Sequence, residues 1–229
     1  MANDILVVAA HPDDEVIGCG GTIARLSAAG KNCHLLVMAE GVTSRDDARD
    51  PDSRKNELSG IKKACLAAAK VLGIKSVEFK SNPDNRLDSL ARLDLVKQIE
   101  KKIRGVKPEV VYTHHHGDLN IDHRIVAEAV LVACRPIPGC LVKEIYAFEI
   151  LSSTEWSFAE KNTSFHPNCF VDIKNTLARK LKAMKKYASE LRDFPHPRSL
   201  EALDYLAKIR GAQVGLPAAE AFTLIRKID

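Results

Sequence analysis

An unbroken apolar run, Ile5-Leu6-Val7-Val8-Ala9, stands near the start of the chain, and shorter apolar segments recur near residues 33–39, 76–80, 109–114 and 143–149. Between them the apolar positions space out to every third or fourth residue, near 20–29, 53–72, 88–104 and 123–134. Short apolar runs bounded by turn residues predict buried strands, whereas the wider spacing predicts amphipathic helices. Strands alternating with helices predict an α/β protein with a Rossmann-like, doubly wound, mostly parallel sheet. Beyond about residue 150, Cys169-Phe170-Val171-Asp172-Ile173 reads as extended, and two more helical patterns cover about 174–192 and 198–212. No Pro/Gly/Ser-rich linker, internal repeat or low-complexity tract divides the sequence, so residues 1–229 are expected to form one domain, the last third elaborating the first two.

The polar residues that interrupt this pattern are concentrated at two places. Directly after the first strand come His11-Pro12-Asp13-Asp14-Glu15, and directly after the fourth come His114-His115-His116-Gly117-Asp118-Leu119-Asn120-Ile121-Asp122-His123. Neighbouring carboxylates raise one another's pKa, so a fold that gathers them supplies positive charge, most simply a metal ion. In the common doubly wound order the first and fourth strands are neighbours at the topological switch point, and ligands bind outside their carboxyl ends. A gap of about a hundred residues in sequence then closes to bonding distance.

His-Pro-Asp-Asp-Glu after a first strand, together with Asp118-x-Asn120-x-Asp122-His123 near mid-chain, resembles the LmbE-like (PIG-L) family of zinc-dependent N-deacetylases. Arg54 and Glu57 with Leu72-Gly73, the segment Asp84-Asn85-Arg86-Leu87-Asp88, Arg210-Gly211 and Ala219-Glu220-Ala221-Phe222 also look like family positions, so the resemblance spans most of the chain. It implies a three-layer α/β/α fold in which His11, Asp14 and His123 bind Zn²⁺, Fe²⁺ or another divalent cation, with one position open to water. The resemblance also implies that Asp13 is the general base, and adjacent residues on a tight turn, which point different ways, agree with that. Asp122 orients an imidazole. Arg54 and Asp88 resemble positions that reach sugar hydroxyls, and Glu40 and His115 complete the expected substrate-facing set. At Asn120 the family commonly has His; an amide donates a hydrogen bond to an oxyanion but delivers no proton, which leaves protonation of the leaving amine to Asp13 or to His115 or His116.

The expected activity is metal-dependent N-deacetylation of an N-acetylated amino sugar or its conjugate. The site residues alone specify metal-assisted hydrolysis, which a deacylase or deformylase on another amide, or a thiol-conjugate amidase, would share. Gly18-Cys19-Gly20-Gly21 does not make a dinucleotide site: the last glycine of G-x-G-x-x-G would fall at Ile23, and three carboxylates fill the turn that would receive a pyrophosphate. A net charge of +4 is mild, and the basic stretch Arg179-Lys180, Lys182, Lys185 and Lys186 reads as a solvated face, so a nucleic-acid or acidic-partner binding module is the weaker, non-enzymatic alternative. The expected partner is a small N-acetylated molecule, with homo-oligomerisation left open. Six cysteines without a C-x-x-C pair, no leader-like start at Met1-Ala2-Asn3-Asp4 and no long apolar span give the expectation of a reducing cytoplasm.

Overall fold

The computed structural model describes residues 4–158 and 163–229. The five expected strands are present as β1 (Asp4–Ala9), β2 (Asn32–Ala39), β3 (Ser76–Asn82), β4 (Val110–His114) and β5 (Glu144–Phe148). They pair in parallel in the order β3-β2-β1-β4-β5. The chain therefore winds outward from β1 through β2 to β3, then crosses back to β4 on the other side of β1. That reversal places the switch point between β1 and β4, with Ile5 beside Val110 and Val7 beside Tyr112.

Each strand of the centre buries both faces. From β1, Ile5, Val7 and Ala9 enter one core with residues of α1 (Asp14–Ala28), α2 (Lys55–Leu72), α5 (Leu177–Met184) and α6 (Leu200–Ala212). Leu6, Val8 and Ala10 enter the other, beneath α3 (Arg92–Val106) and α4 (Ile121–Ala133). This is the three-layer α/β/α arrangement, and it is why β1 reads as a continuous apolar run rather than an alternating one.

The structure differs from the sequence reading in three places. The first helix begins at Asp14 rather than near residue 20, because the His11-Pro12-Asp13 turn leads directly into it and the Asp13 carbonyl accepts from the Val16 and Ile17 N–H groups. The helix expected over 174–192 stops at Met184; beyond it Tyr187 turns into the core, where its hydroxyl donates to Glu15 at 2.6 Å. A seventh strand, β7 (Ala219–Lys227), was not anticipated. Its Ala-Glu-Ala start carries good helix formers, but pairing antiparallel to both β5 and β6 (Cys169–Asp172) decides its conformation.

The glycines of α1 answer to packing. A Cβ at Gly18 would lie 2.4 Å from the Phe148 ring, and one at Gly21 would lie 2.8 Å from Ile173. Between them the helix is broken at Cys19. The groups freed there are claimed from afar: Glu220 of β7 accepts from the Gly21 and Thr22 N–H groups at 2.8 and 2.6 Å, while Lys180 of α5 donates to the Ile17 carbonyl at 2.8 Å and to Glu220 at 2.7 Å.

Candidate active site

The carboxyl ends of β1 and β4 and the first turns of α1 and α4 converge on one point. His11 leaves β1, Asp14 opens α1, and His123 sits in the first turn of α4, which Asn120 caps by accepting from the Asp122 N–H at 2.9 Å. One donor atom from each of His11, Asp14 and His123 lies within 4.8 Å of the others. Asp13 is held at φ 106°, a left-handed conformation that costs a non-glycine residue of order 1–3 kcal/mol and is found where the surrounding structure requires it. Here it separates two adjacent carboxyls: Asp13 lines an open cleft of about 140 Å³, while Asp14 lies behind it, buried against the imidazoles.

A second group, His11 with Asp84 and Asp122, is equally compact, but its oxygens are satisfied from within. Asp122 Oδ2 lies 3.0 Å from His11 Nε2 and accepts from the Asn85 N–H at 2.7 Å, and its Oδ1 accepts from the Leu87 N–H at 3.0 Å. Asp84 lies 3.1 Å from the same His11 nitrogen and accepts from the backbone and hydroxyl of Ser44. The first group is not satisfied. Asp14 Oδ1 and His123 Nε2 are buried, 3.5 Å apart, and have no hydrogen-bond partner among the described residues. Buried polar atoms are almost always paired, and two imidazoles with one carboxylate are the donor set of a catalytic zinc site. The orphaned atoms fit a divalent cation.

His11 and His123 each have a different carboxylate beside them. Asp122 serves His11 across 111 residues of sequence rather than its neighbour His123, whose Nδ1 lies 3.1 Å from Asp118. His114, which had no assigned role in the sequence reading, stacks on His123 with ring centroids 4.0 Å apart, and its Nε2 accepts from the Ala10 N–H at 2.8 Å. Burial and the adjacent His123 push His114 down to about 4, so it is neutral near pH 7. Burial works against charging His11, but the Asp122, Asp14 and Asp84 carboxylates raise its pKa. For the two adjacent acids the outcome is opposite. Burial raises Asp13 well above the usual carboxylate range, with Arg198 at 3.4 Å pulling the other way. Asp14 is equally buried, yet His123, His114 and the bond with His11 hold it well below that range.

The four residues expected to face substrate do not line the cleft. All three donor nitrogens of Arg54 are engaged, two by Asp46 at 2.6 and 2.7 Å and one by Glu57 at 2.6 Å. Glu40 is buried beneath Arg49, which donates to it at 2.6 and 3.2 Å. His115 Nε2 is bonded to the Thr163 carbonyl at 2.7 Å, and Asp88 is exposed in the turn Leu87–Ser89. The cleft is lined instead by Ser44, Arg45, Asp84, Asn85, Glu190 and Arg198, together with His11, Asp13 and Asn120. Asp84 and Asn85 belong to the same segment as Asp88, Asp84-Asn85-Arg86-Leu87-Asp88, and it is the start of that segment, not its end, that reaches the cleft. Arg198 and Glu190 carried no signal, because they belong to a loop whose path no periodicity gives.

The fold and the site define the class, an α/β protein with a doubly wound sheet and a His/Asp/His group that could hold a metal ion at its switch point. The chain belongs to the PIG-L (GlcNAc-PI de-N-acetylase) family, whose model matches residues 6–134. It is 31% identical over 191 residues to the uncharacterized deacetylase YaiS of Escherichia coli K12, covering 81% of this chain and 90% of that protein. A probable N-acetyl-alpha-D-glucosaminyl L-malate deacetylase 2 of Bacillus anthracis is 25% identical over 188 residues, covering 81% and 80%. Among solved structures, the N,N′-diacetylchitobiose deacetylase of Pyrococcus horikoshii superposes with a TM-score of 0.79 at 22% identity, over 98% of this chain and 84% of that one. This last likeness is one of fold.

Proposed function

We propose that this protein is a divalent-metal-dependent hydrolase that removes the acetyl group from an N-acetylated amino sugar or its conjugate, with His11, Asp14 and His123 as metal ligands and Asp13 as general base. The observation that carries the reading is the pair of buried orphans, Asp14 Oδ1 and His123 Nε2, directly behind a cleft lined by Asp13. Family membership and the amino-sugar deacetylases among the relatives support the substrate class. The donor set favours Zn²⁺ and also suits Fe²⁺.

A cation held there would polarise the amide carbonyl and make a water acidic near neutral pH. The chain's own residues do the rest. Asp13 takes the proton of the attacking water, which burial favours by raising its affinity for a proton, and then returns it to the nitrogen of the leaving amine. Arg198, within 3.4 Å of Asp13, faces the charge that the carboxylate carries before the first transfer and again after the second. Asn120 has one amide hydrogen on Asn85 at 2.8 Å, which leaves the second for the developing oxyanion. Asp122 fixes the His11 ring by its bond to Nε2, so that Nδ1 is the nitrogen turned toward Asp14 Oδ2, 3.5 Å away.

The binding-module alternative loses support. Of its basic stretch, Lys180 is buried on Glu220 and Arg179 donates to the Val71 carbonyl, so neither charge is free for a polyanion. The seven-stranded sheet runs from β3 through β7 to β6, which supports reading the chain as one domain. No helix of the described residues is long and apolar enough to cross a membrane, and six free cysteines accord with a reducing, cytoplasmic setting.

The test pairs metal content with acetate release from N-acetylglucosaminides in the presence of Zn²⁺ or Fe²⁺. His11→Ala, Asp14→Ala and His123→Ala are expected to lose metal and turnover together. Asp13→Asn is expected to keep its metal while turnover falls by about 10²–10⁴-fold, the usual effect of removing a general base. Full metal occupancy in the three ligand variants, or near-wild-type turnover in Asp13→Asn, would refute the assignment.

A further inference from the structure

Two segments joined to the cleft wall carry exposed apolar side chains that none of the groups above uses. Trp156, the single tryptophan of the chain, ends the short turn Thr154–Trp156 and is 53% exposed. Leu119, next to Asn120, is 51% exposed. Exposed apolar side chains are common; Trp156 is set apart by an aromatic face and by the bonds that join its segment to the cleft.

Their segments are fastened to the cleft wall. Thr154 Oγ1 donates to Asp118 at 2.5 Å, the Ser153 hydroxyl also bonds Asp118, and the Asn120 N–H lies 3.3 Å from that hydroxyl. On the other side, Arg198 Nε donates to Ser152 Oγ at 2.7 Å. The indole meets the His196 ring edge to face at 6.2 Å, and His196 Nδ1 accepts from the Arg198 N–H at 3.0 Å. The turn that presents Trp156 is thus bonded to Asn120 and Arg198, both of which line the cleft.

We propose that Trp156 is a specificity-determining residue that seats a second pyranose attached to the amino sugar in preference to an acyclic carboxylate. The proposal deepens the deacetylase reading and rests on it. A pyranose presents a face of C–H groups, and a flat indole with a negative face matches that surface at little cost in side-chain entropy. An acyclic acid would find no unengaged guanidinium at the mouth: Arg198 faces Asp13 and Glu190, and Arg45 faces Glu190 and Glu57.

The lone tryptophan makes its own occupancy readable. Zinc-loaded Asp13→Asn protein is titrated with N,N′-diacetylchitobiose, N-acetylglucosamine and N-acetylglucosaminyl malate while indole emission is followed. The disaccharide is expected to change emission saturably, at concentrations about tenfold below those of the other two. In the otherwise wild-type protein, Trp156→Ala is expected to lower kcat/KM about tenfold more for the disaccharide than for the monosaccharide, and Trp156→Phe to recover most of that loss. Emission that stays constant through saturation by the disaccharide, or equal losses on both sugars, overturns the subsite. Acetate release with constant emission removes the subsite and leaves the deacetylase standing. Saturable emission change without acetate release from any of the three keeps the subsite and removes the deacetylase, and failure of both readouts removes both.

Discussion

Glu15 sits behind the two aspartates, fully buried, accepting from the Tyr187 hydroxyl at 2.6 Å and from the Asp13 N–H at 3.1 Å. Burial pushes its carboxyl up to about 7, with the Tyr187 bond only partly offsetting the rise. The folded state therefore holds a proton that the unfolded chain has already released above about 4.5. Stability from this group is present below that pH and is lost as pH rises through about 7. In metal-free protein, the stability of wild type relative to Glu15→Gln is expected to decline by about 3 kcal/mol between pH 4.5 and 7, as read from urea unfolding at several pH values. Any pH-independent cost of the new amide facing the Asp13 N–H cancels in that comparison, and a difference flat across the range would refute the buried-acid account. At this scale the motif residues were legible in the sequence because their chemistry has few other uses. Their partners were not: Asp122 serves His11 rather than His123, and Arg54 and Glu40 lie in ion pairs away from the cleft. The segment 40–54 holds Glu40 with Arg49 and Arg54 with Asp46, the turn after β3 meets Asp122 through Asn85 and Leu87, and no periodicity in the sequence gives the course of either.

Among the elements, α1 carries the most consequence. A helix interrupted at Cys19 leaves amides and a carbonyl unsatisfied, and the buried Lys180–Glu220 pair from α5 and β7 supplies their partners. Removing one member of a buried pair costs about 3–5 kcal/mol because the other charge remains uncompensated. Lys180→Met is expected near the lower end of that range, since two amides still hold Glu220, and Lys180→Met/Glu220→Gln is expected to regain part of the loss. Chemical denaturation measures both, and a neutral Lys180→Met would remove the pair from the stability of α1. The alternating strands and helices up to residue 149 were legible because the apolar spacing there is regular and both faces are buried. β7 was illegible because its buried Glu220 satisfies a helix break elsewhere rather than following a strand pattern, so its reason for being inside lies about 200 residues away in sequence.

For the molecule as a whole, a cation that binds only the folded state stabilises it by mass action, by about 4 kcal/mol at a thousandfold excess over its dissociation constant. For a domain of this size that corresponds to on the order of 10 °C in Tm. Chelation is expected to lower Tm by about that amount in wild type and to leave His11→Ala, Asp14→Ala and His123→Ala unmoved, as scanning calorimetry would read. An equal response in the ligand variants would place the cation elsewhere. The Glu220 clamp on α1 also has a bearing on synthesis. A ribosome finishes His11, Asp14 and His123 about a hundred residues before it makes Glu220, and Lys180 comes some sixty residues after the last of them. Until both have left the exit tunnel, the helix that presents Asp14 is broken without its partners, so the nascent chain carries His11, Asp14 and His123 on an unsupported frame. The support of α1 thus arrives later in synthesis than the residues it positions, from a helix and a strand more than 150 residues away in sequence.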